Sequence, residues 1–332
     1  MTLLYEEENI TFVRGIGRRK SPLQKTIEQL EAYLDKLKEY TQKLHKCGNR
    51  NSYSKTDTDA TFMRIKEDAM GNGQLKPAYN LQHGVDAQYI TWLTIGSQPT
   101  DTTTLIPFSR DMEKHLSFKY TNIVADSGYE SEENYLFIEE NHQIAFIKPS
   151  HYEISKTRKY KTDISKRENM TYNEKEDIYV CKAGRKLTVT GLKRTKSKTG
   201  YVSEKTQYTC EDCSHCELKK QCIKGNNSKV PLEERTKKLE VSKVFQQKRT
   251  KCSERILTDE GCKLRMNRSI QAEGSFANIK GDMSFRRYLC KGTENVLAES
   301  ILLAMAHNIN KLHLKIQNGK TGTFLFELKK EA

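Results

Sequence analysis

The stretch that decides the fold is NIVADSGYESEENYLFIEEN, residues 122–141. Three apolar residues, 123–125, precede Asp126, and a helical pattern follows at 131–141. Consecutive apolar positions are typical of a strand that helices cover on both faces. Open α/β sheets bind ligands at the carboxyl ends of their strands, so Asp126 is a candidate for metal or proton chemistry. The alternative is that Asp126 only opens a turn, since Asp and Gly are common turn residues.

The segments on either side of this stretch extend the α/β pattern. Before it, alternating apolar residues predict a hairpin over 79–95 with its turn at Asp86-Ala87, and a helix over 102–116. After it, residues 143–149 predict a second strand. The order of hairpin, helix, strand, helix and strand predicts a mixed sheet with helices on its faces.

Amphipathic helices are predicted near both ends of the chain. Ser21 and Pro22 form a helix start signal, and a leucine-rich stripe with spacings of four and three follows them. Such a stripe packs within its own domain or forms a short coiled coil, so a homodimer is one expectation. Two further helices are predicted over 263–280 and 294–316.

Positive charge is concentrated in one third of the 332-residue chain. Lys and Arg outnumber Asp and Glu by 57 to 43, and residues 151–250 alone hold 25 basic against 13 acidic residues. A localised excess of this kind predicts a polyanionic partner, with nucleic acid as the leading class. We find neither a membrane-spanning apolar run nor an export signal, and therefore expect a cytoplasmic protein without a membrane partner.

A cysteine cluster in this basic region predicts a metal site. Four of its members lie within a 13-residue window and one lies upstream: Cys181, Cys210, Cys213, Cys216 and Cys222. Pairs separated by two residues can present both thiolates to one ion, and tetrahedral zinc takes four such ligands. We therefore predict a small Zn²⁺-binding module over 175–225. The alternatives are incidental reduced cysteines and an iron–sulfur cluster.

A second candidate acid, Glu273, lies on the predicted helix 263–280. The spacing of Ile270, Glu273 and Ala277 places them on one helical face, which we expect to face the core. An acid on such a face is costly unless it is paired or binds a metal. Pairing with Lys280 or an arginine is the structural alternative to metal binding.

Several long blocks of the sequence together carry a family resemblance. The main ones are VADSGYESEENY (124–135), RSIQAEGSFANIKGDMSFRRYLCKGTENV (268–296) and LLAMAHNINKLH (302–313). These blocks closely resemble the catalytic blocks and closing helix of bacterial insertion-sequence transposases with a DDE triad. DTDATFMRIKED (57–68), LKPAYNLQ (75–82) and the cysteine cluster resemble the branch with a cysteine-bearing insertion.

The resemblance implies an enzyme that cleaves and transfers DNA strands. Such transposases have an RNase H-like core in which three carboxylates hold two Mg²⁺ (or Mn²⁺) ions. By this resemblance Asp126 is the middle acid at a strand end, and Glu273 is the final acid on a helix. The implied partner is double-stranded DNA, both element ends and target, and four basic residues would contact its phosphates: Arg268, Lys280, Arg286 and Arg287.

One departure from the family concerns the first aspartate. In the family it lies on the first core strand in an Asp-Gly-Thr or Asp-Ser-Thr block, and this sequence contains neither that block nor a helix-turn-helix region. We therefore expect an amino-terminally truncated copy, with an incomplete sheet and little activity alone. The alternatives are a non-catalytic DNA-binding remnant that interferes with a full-length copy, and a zinc-dependent interaction protein unrelated to DNA.

The predicted α/β organisation has five segments. The RNase H-like mixed sheet flanked by helices is expected in the second and fourth, and the inserted cysteine-rich module in the third. The segments are a charged helical segment (1–50), the first part of the catalytic core (51–150), the basic insertion (151–245), the carboxyl-terminal helical part of the core (246–318) and a tail (319–332).

Overall fold

A computed structural model describes most of the chain. The described ranges are 12–17, 19–64, 73–225 and 228–323. Contacts divide the chain into two compact units, Met1–Tyr79 and Asn80–Ala332. In the described ranges, no helix has both the length and the apolar composition that crossing a membrane requires.

The first unit contains one long helix and a small sheet. Helix α1 spans Pro22–Cys47. The side chain of the preceding residue, Ser21, caps it, as the sequence predicts. Strands β1 (Thr61–Arg64) and β2 (Leu75–Ala78) pair antiparallel. Most of the leucine stripe of α1 is exposed, and Ile27 is its buried member.

The strands that lead to Asp126 form two separate pairs. Strands β3 (Asn80–Asp86) and β4 (Tyr89–Gly96) form an antiparallel hairpin, whereas β5 (Asn122–Ala125) and β6 (Ile144–Ile147) run parallel. The predicted hairpin and strand–helix–strand unit are therefore confirmed. The single mixed sheet is not formed, because no ladder joins the two pairs within the described ranges. Periodicity predicts strands, but it does not determine which strands pair.

The hairpin turn lies one residue later than predicted. Ala87 and Gln88 have φ values of 48° and 75°. Positive φ at both central positions is what a type I′ turn requires, and Asn-Gly or Asp-Gly is its usual sequence signal. Neither residue is of these types, so the sequence pointed to Asp86 instead.

Helices cover the parallel pair and build the main core with it. The helices of the second unit are α2 (Leu105–Leu116), α3 (Glu132–Glu140), α4 (Tyr152–Ser155), α5 (Arg158–Lys161), α6 (Lys219–Cys222), α7 (Lys243–Arg255), α8 (Asp259–Arg268), α9 (Gly274–Ala277) and α10 (Thr293–Gln317). The main core joins α3, β6 and α7 through side chains such as Ile138, Ile147 and Ile256, which are almost completely buried. Burial of this apolar surface is the main stabilising contribution to the unit.

The basic insertion contains a sheet of its own. Its five antiparallel strands have the order β11-β10-β9-β8-β7. They are β7 (Thr171–Asn173), β8 (Ile178–Val180), β9 (Lys186–Lys196), β10 (Val202–Cys210) and β11 (Lys238–Val241). Tyr201 and Ser242 tie this sheet to α3, because both hydroxyls donate to the Glu132 carboxylate, at 2.6 and 2.5 Å.

A continuous helical run carries Glu273. Helix α8 continues into a π-helical turn, Ser269–Glu273, then into α9 and a second π-helical turn, Asn278–Asp282. We call residues 259–282 the Glu273 helix. Its second half packs against β4 and α10 through Ile279. The predicted helix over 263–280 is confirmed, and π-turns of this kind occur frequently at functional sites.

Candidate active site

Asp126 lies at the carboxyl end of β5 and also opens a turn. Its Oδ1 accepts a hydrogen bond from the Gly128 N–H at 2.8 Å, which caps the short helical turn Ser127–Tyr129. Its Oδ2 accepts from Arg268 at 3.2 Å. The side chain remains 43% exposed, so solutes can reach the carboxylate.

Glu273 lies on the solvent-facing side of its helix. Its side chain is 67% exposed, and the buried positions of this segment are Ser275 and Ile279. The prediction that Ile270, Glu273 and Ala277 face the core is therefore wrong, because Glu273 and Ala277 are exposed and Ile270 is 49% exposed. A periodicity count assumes a uniform helix and locates a stripe, but it does not determine which stripe packs.

Arg268 joins the two candidate acids, which are far apart in the sequence. One guanidinium nitrogen lies 3.2 Å from Asp126 Oδ2, and another lies 3.3 Å from Glu273 Oε1. The structure thus brings Asp126 and Glu273 to the two terminal nitrogens of one guanidinium group. It places Arg268, predicted as a phosphate contact, on the carboxylates.

The Asp126 turn is anchored by a buried ion pair. Glu130 has a side chain only 1% exposed, and Arg249 of α7 binds it with two hydrogen bonds of 2.7 and 2.8 Å. The Ser150 N–H and the Tyr135 hydroxyl donate to the same carboxylate. Because bidentate pairs fix orientation as well as distance, Glu130 holds the residues that follow Asp126 against the core.

Tyr129 lies beneath the acidic residues. Burial raises the pKa of its phenol well above the usual range, and the charges of Asp101 and Asp126 raise it further, whereas Arg268 opposes them. The phenol therefore stays protonated at neutral pH. A third carboxylate, Asp101, lies near Asp126 across Gly128, and the sequence did not point to it.

Strand β3 is attached to the Glu273 helix by an aromatic stack. The ring of His83 stacks on Phe276 with centroids 4.2 Å apart, and its Nδ1 lies 3.1 Å from Ser275 Oγ. Farther along, His307 of α10 contacts Asn278 of the helix at 2.8 Å. These contacts position the segment that carries Glu273.

The five predicted cysteines line one small pocket in the insertion. Burial, followed by the neighbouring thiol of Cys213, raises the pKa of the Cys210 thiol to about 12. Arg185 orders the cysteine loop by donating to the backbone carbonyls of Asp212 and Ser214 at 2.7 and 2.8 Å. The cysteines on the pocket wall are Cys181, Cys210, Cys213, Cys216 and Cys222.

No metal cluster is formed by the side chains as they stand. Among the described residues, no group of three or more His, Cys, Asp or Glu side chains is arranged so that it could hold a metal ion. All nine cysteines are free thiols. The acids at Arg268 lie close together, and so do the thiols of the insertion. Among the described residues, neither set has the arrangement of three or more ligands that a metal ion requires.

The family comparison applies to the insertion and the Glu273 helix. Residues 180–313 match the family model described as a transposase DDE domain. This part of the chain is similar to transposase DDE domains. The resemblance to insertion-sequence transposases is thereby confirmed. No curated protein and no solved structure matches the chain.

The matched range includes Glu273 and the cysteine cluster, whereas Asp126 lies outside it. Within the matched range, Lys280, Arg286 and Arg287 are exposed residues that follow Glu273. The segment with the two arginines is held by Phe285 and Tyr288, whose rings pack edge to face at 5.2 Å.

Proposed function

We propose that this chain is a DNA transposase of an insertion sequence, and that Asp126 and Glu273 are acids of its strand-cleavage site. One observation carries the proposal. The two acids, 147 positions apart, both contact the guanidinium of Arg268, and Arg268 and Glu273 lie in the range that matches a transposase DDE domain. Because Asp126 and Glu273 come from different elements, their approach to Arg268 is a tertiary arrangement and not the product of one local turn.

The acid pair fits a divalent cation in chemistry and in charge. Mg²⁺ prefers oxygen ligands, and carboxylates are its common protein ligands. The carboxylates of Asp126 and Glu273 already hold a positive group between them, and both are accessible to solvent. A bound Mg²⁺ or Mn²⁺ would supply Lewis-acid stabilisation of phosphoryl oxygens. Arg268 would have to leave at least one carboxylate before the ion could bind.

Duplex DNA is the proposed substrate. Arg286 and Arg287 are exposed on an ordered segment beyond Glu273, and Lys280 is exposed on the Glu273 helix itself. Arginine and lysine side chains on one surface bind phosphates without reading sequence. Arg268, once it leaves the carboxylates, is a further group that can contact a phosphate.

Catalysis tests the proposal most directly. In Mn²⁺ or Mg²⁺, we expect slow nicking of labelled element-end DNA that Asp126→Asn and Glu273→Gln each abolish, while DNA binding is retained. The rate is expected to be low because two carboxylates supply few anionic ligands for two ions. The matched control is Asp86→Asn, which removes an exposed acid at the end of β3.

The same assay separates the competing functions. DNA binding that weakens steeply with salt, with no nicking in any metal, would indicate a non-catalytic DNA-binding remnant. The contact of Arg268 with both carboxylates favours this second function, because it neutralises them. Nicking that persists in Asp126→Asn would contradict the site assignment, and an absence of DNA binding would contradict both functions.

We also propose that the cysteine pocket binds structural Zn²⁺. The support is that five thiols line one pocket and that Arg185 orders the loop bearing three of them. A cysteine thiol turns about a single χ1 torsion, so changes of χ1 rotamer would aim four thiolates at one ion. The sheet of the insertion has its own core around Leu187 and Tyr208, which such a site would reinforce.

Elemental analysis tests the zinc proposal. We expect about one Zn²⁺ per chain, since four thiolates complete one tetrahedral site. Cys213→Ser should lose the zinc and lower the melting temperature, because metal binding is coupled to folding. Cys290→Ser, at an exposed cysteine outside the pocket, should retain the zinc. Zinc-free wild-type protein with nine titratable thiols would contradict the proposal.

A further inference from the structure

Asp101 occupies an unusual position next to Asp126. It opens the short helical turn Asp101–Thr103 that follows β4. Its Oδ1 accepts hydrogen bonds from the side-chain amides of Asn80 at 2.8 Å and Gln82 at 3.2 Å. Two residues of β3 thus fix the carboxylate, and only one of its oxygens is used in doing so.

The other oxygen of Asp101 lies near Asp126 on the same side of Gly128. A Cβ atom on Gly128 would lie 3.0 Å from Asp101 Oδ2 and 3.0 Å from Asp126 Oδ1. The two oxygens can therefore be no farther apart than twice that distance. Two like charges held this close repel each other, and a cation near both would offset the cost of that repulsion. Glycine at 128 keeps the space beside both oxygens clear of a side chain.

The side-chain amide of Gln82, next to Asp101, has an oxygen that lacks a hydrogen-bond partner among the described residues. Gln82 is only 5% exposed, and its Nε2 donates to Asp101 and to Asn80. Its Oε1 is buried and has no hydrogen-bond partner among the residues that the structure describes. An unpaired buried oxygen costs free energy, and an ion or an ordered water commonly satisfies such a group. This oxygen belongs to the same amide that donates to Asp101, so the polar group without a partner lies next to the acids.

We infer that Asp101 is a third carboxylate of the acidic site and holds a divalent cation together with Asp126. The inference rests on the proposed function, which places a metal at Asp126 and Glu273. Glu273 joins the pair when Arg268 leaves it, because its largely exposed side chain is free to turn. Asp101 thus supplies anionic oxygen that Asp126 and Glu273 alone do not provide.

Binding of Mn²⁺ alone, without DNA, tests this assignment. The free Mn²⁺ signal in electron paramagnetic resonance should show binding to the full chain, with competition by Mg²⁺. Asp101→Asn and Asp126→Asn should each weaken Mn²⁺ binding by at least about 10- to 100-fold, which is the usual loss when only an outer-shell partner of a metal ligand is removed. Asp86→Asn removes an exposed acid at the end of β3, away from the proposed site, and should leave Mn²⁺ binding unchanged.

Gly128→Ala provides a second test that keeps every proposed ligand. Its methyl group would press on both Asp101 and Asp126, so Mn²⁺ binding should weaken while the fold, monitored by circular dichroism, is retained. Wild-type affinity in Asp101→Asn and Gly128→Ala, with loss in Asp126→Asn, would overturn the role of Asp101 and leave the proposed site intact. Wild-type affinity in Asp126→Asn as well would overturn the metal site itself.

Discussion

Replacing Arg249 with methionine is expected to lower the free energy of unfolding of the second unit by about 3–5 kcal/mol. Glu130, whose side chain is 1% exposed, would then keep its charge in the core without its bidentate partner. The remaining Ser150 and Tyr135 donors supply hydrogen bonds but no positive charge. The cost is dominated by the unpaired buried carboxylate rather than by the lost contacts.

Urea unfolding followed by tryptophan fluorescence measures this effect. Trp92, the single tryptophan of the chain, lies in β4 of the second unit and reports on that unit. The matched control is Arg194→Met, which breaks an exposed pair with Glu204 and should cost at most about 1 kcal/mol. Arg249→Met combined with Glu130→Leu should recover much of the loss, because both charges are then gone.

The buried pair also connects the core to the site. Glu130 follows Asp126 by four residues, so loss of Arg249 should loosen the turn that aims the Asp126 carboxylate. Arg249→Met should therefore weaken Mn²⁺ binding even under conditions where the unit remains folded. If Arg249→Met and Arg194→Met unfold at the same urea concentration, Glu130 does not anchor the turn.

Short-range sequence patterns predicted individual strands and helices correctly. The apolar run before Asp126, the Ser21 cap and the leucine spacings are short-range patterns, and the corresponding elements form. Pairing between strands is decided by packing between distant segments. The expected mixed sheet therefore appears as two separate pairs within the described ranges.

The site shows the same division between local and distant information. Asp126 and Glu273 stood out because each interrupts or lies on a recognisable pattern. Asp101 did not, since Asp in a turn before a helix is an ordinary residue. Only the approach of Asn80, Gln82 and Gly128 gives it significance.

The stability of the second unit is expected to depend on pH through His83. The Ser275 hydroxyl donates to the Ala272 carbonyl at 2.8 Å, so its oxygen accepts from the His83 Nδ1–H. The other ring nitrogen, Nε2, is buried and has no hydrogen-bond partner within the described part of the chain. Protonation would place an N–H and a charge there. Burial, followed by the charge of His307, accordingly lowers the pKa of His83 to about 4.

The sign of the effect follows from the two pKa values. In the unfolded chain His83 takes up its proton near pH 6.5, whereas in the folded unit it does so only near pH 4. Between these values the unfolded state binds more protons, so stability falls as the pH is lowered through this window. The loss attributable to His83 is at most about 3 kcal/mol and is complete below pH 4.

Urea unfolding of wild type and His83→Gln at pH 7 and pH 4 isolates this contribution. Glutamine keeps an amide that can donate to Ser275, and it does not titrate. Wild type should lose up to about 3 kcal/mol more than His83→Gln over this range. The unfolding midpoint is the readout, because it does not depend on the amplitude of the Trp92 fluorescence. Equal losses in the two proteins would show that His83 is protonated in the folded unit, and that the Phe276 stack tolerates a charged ring.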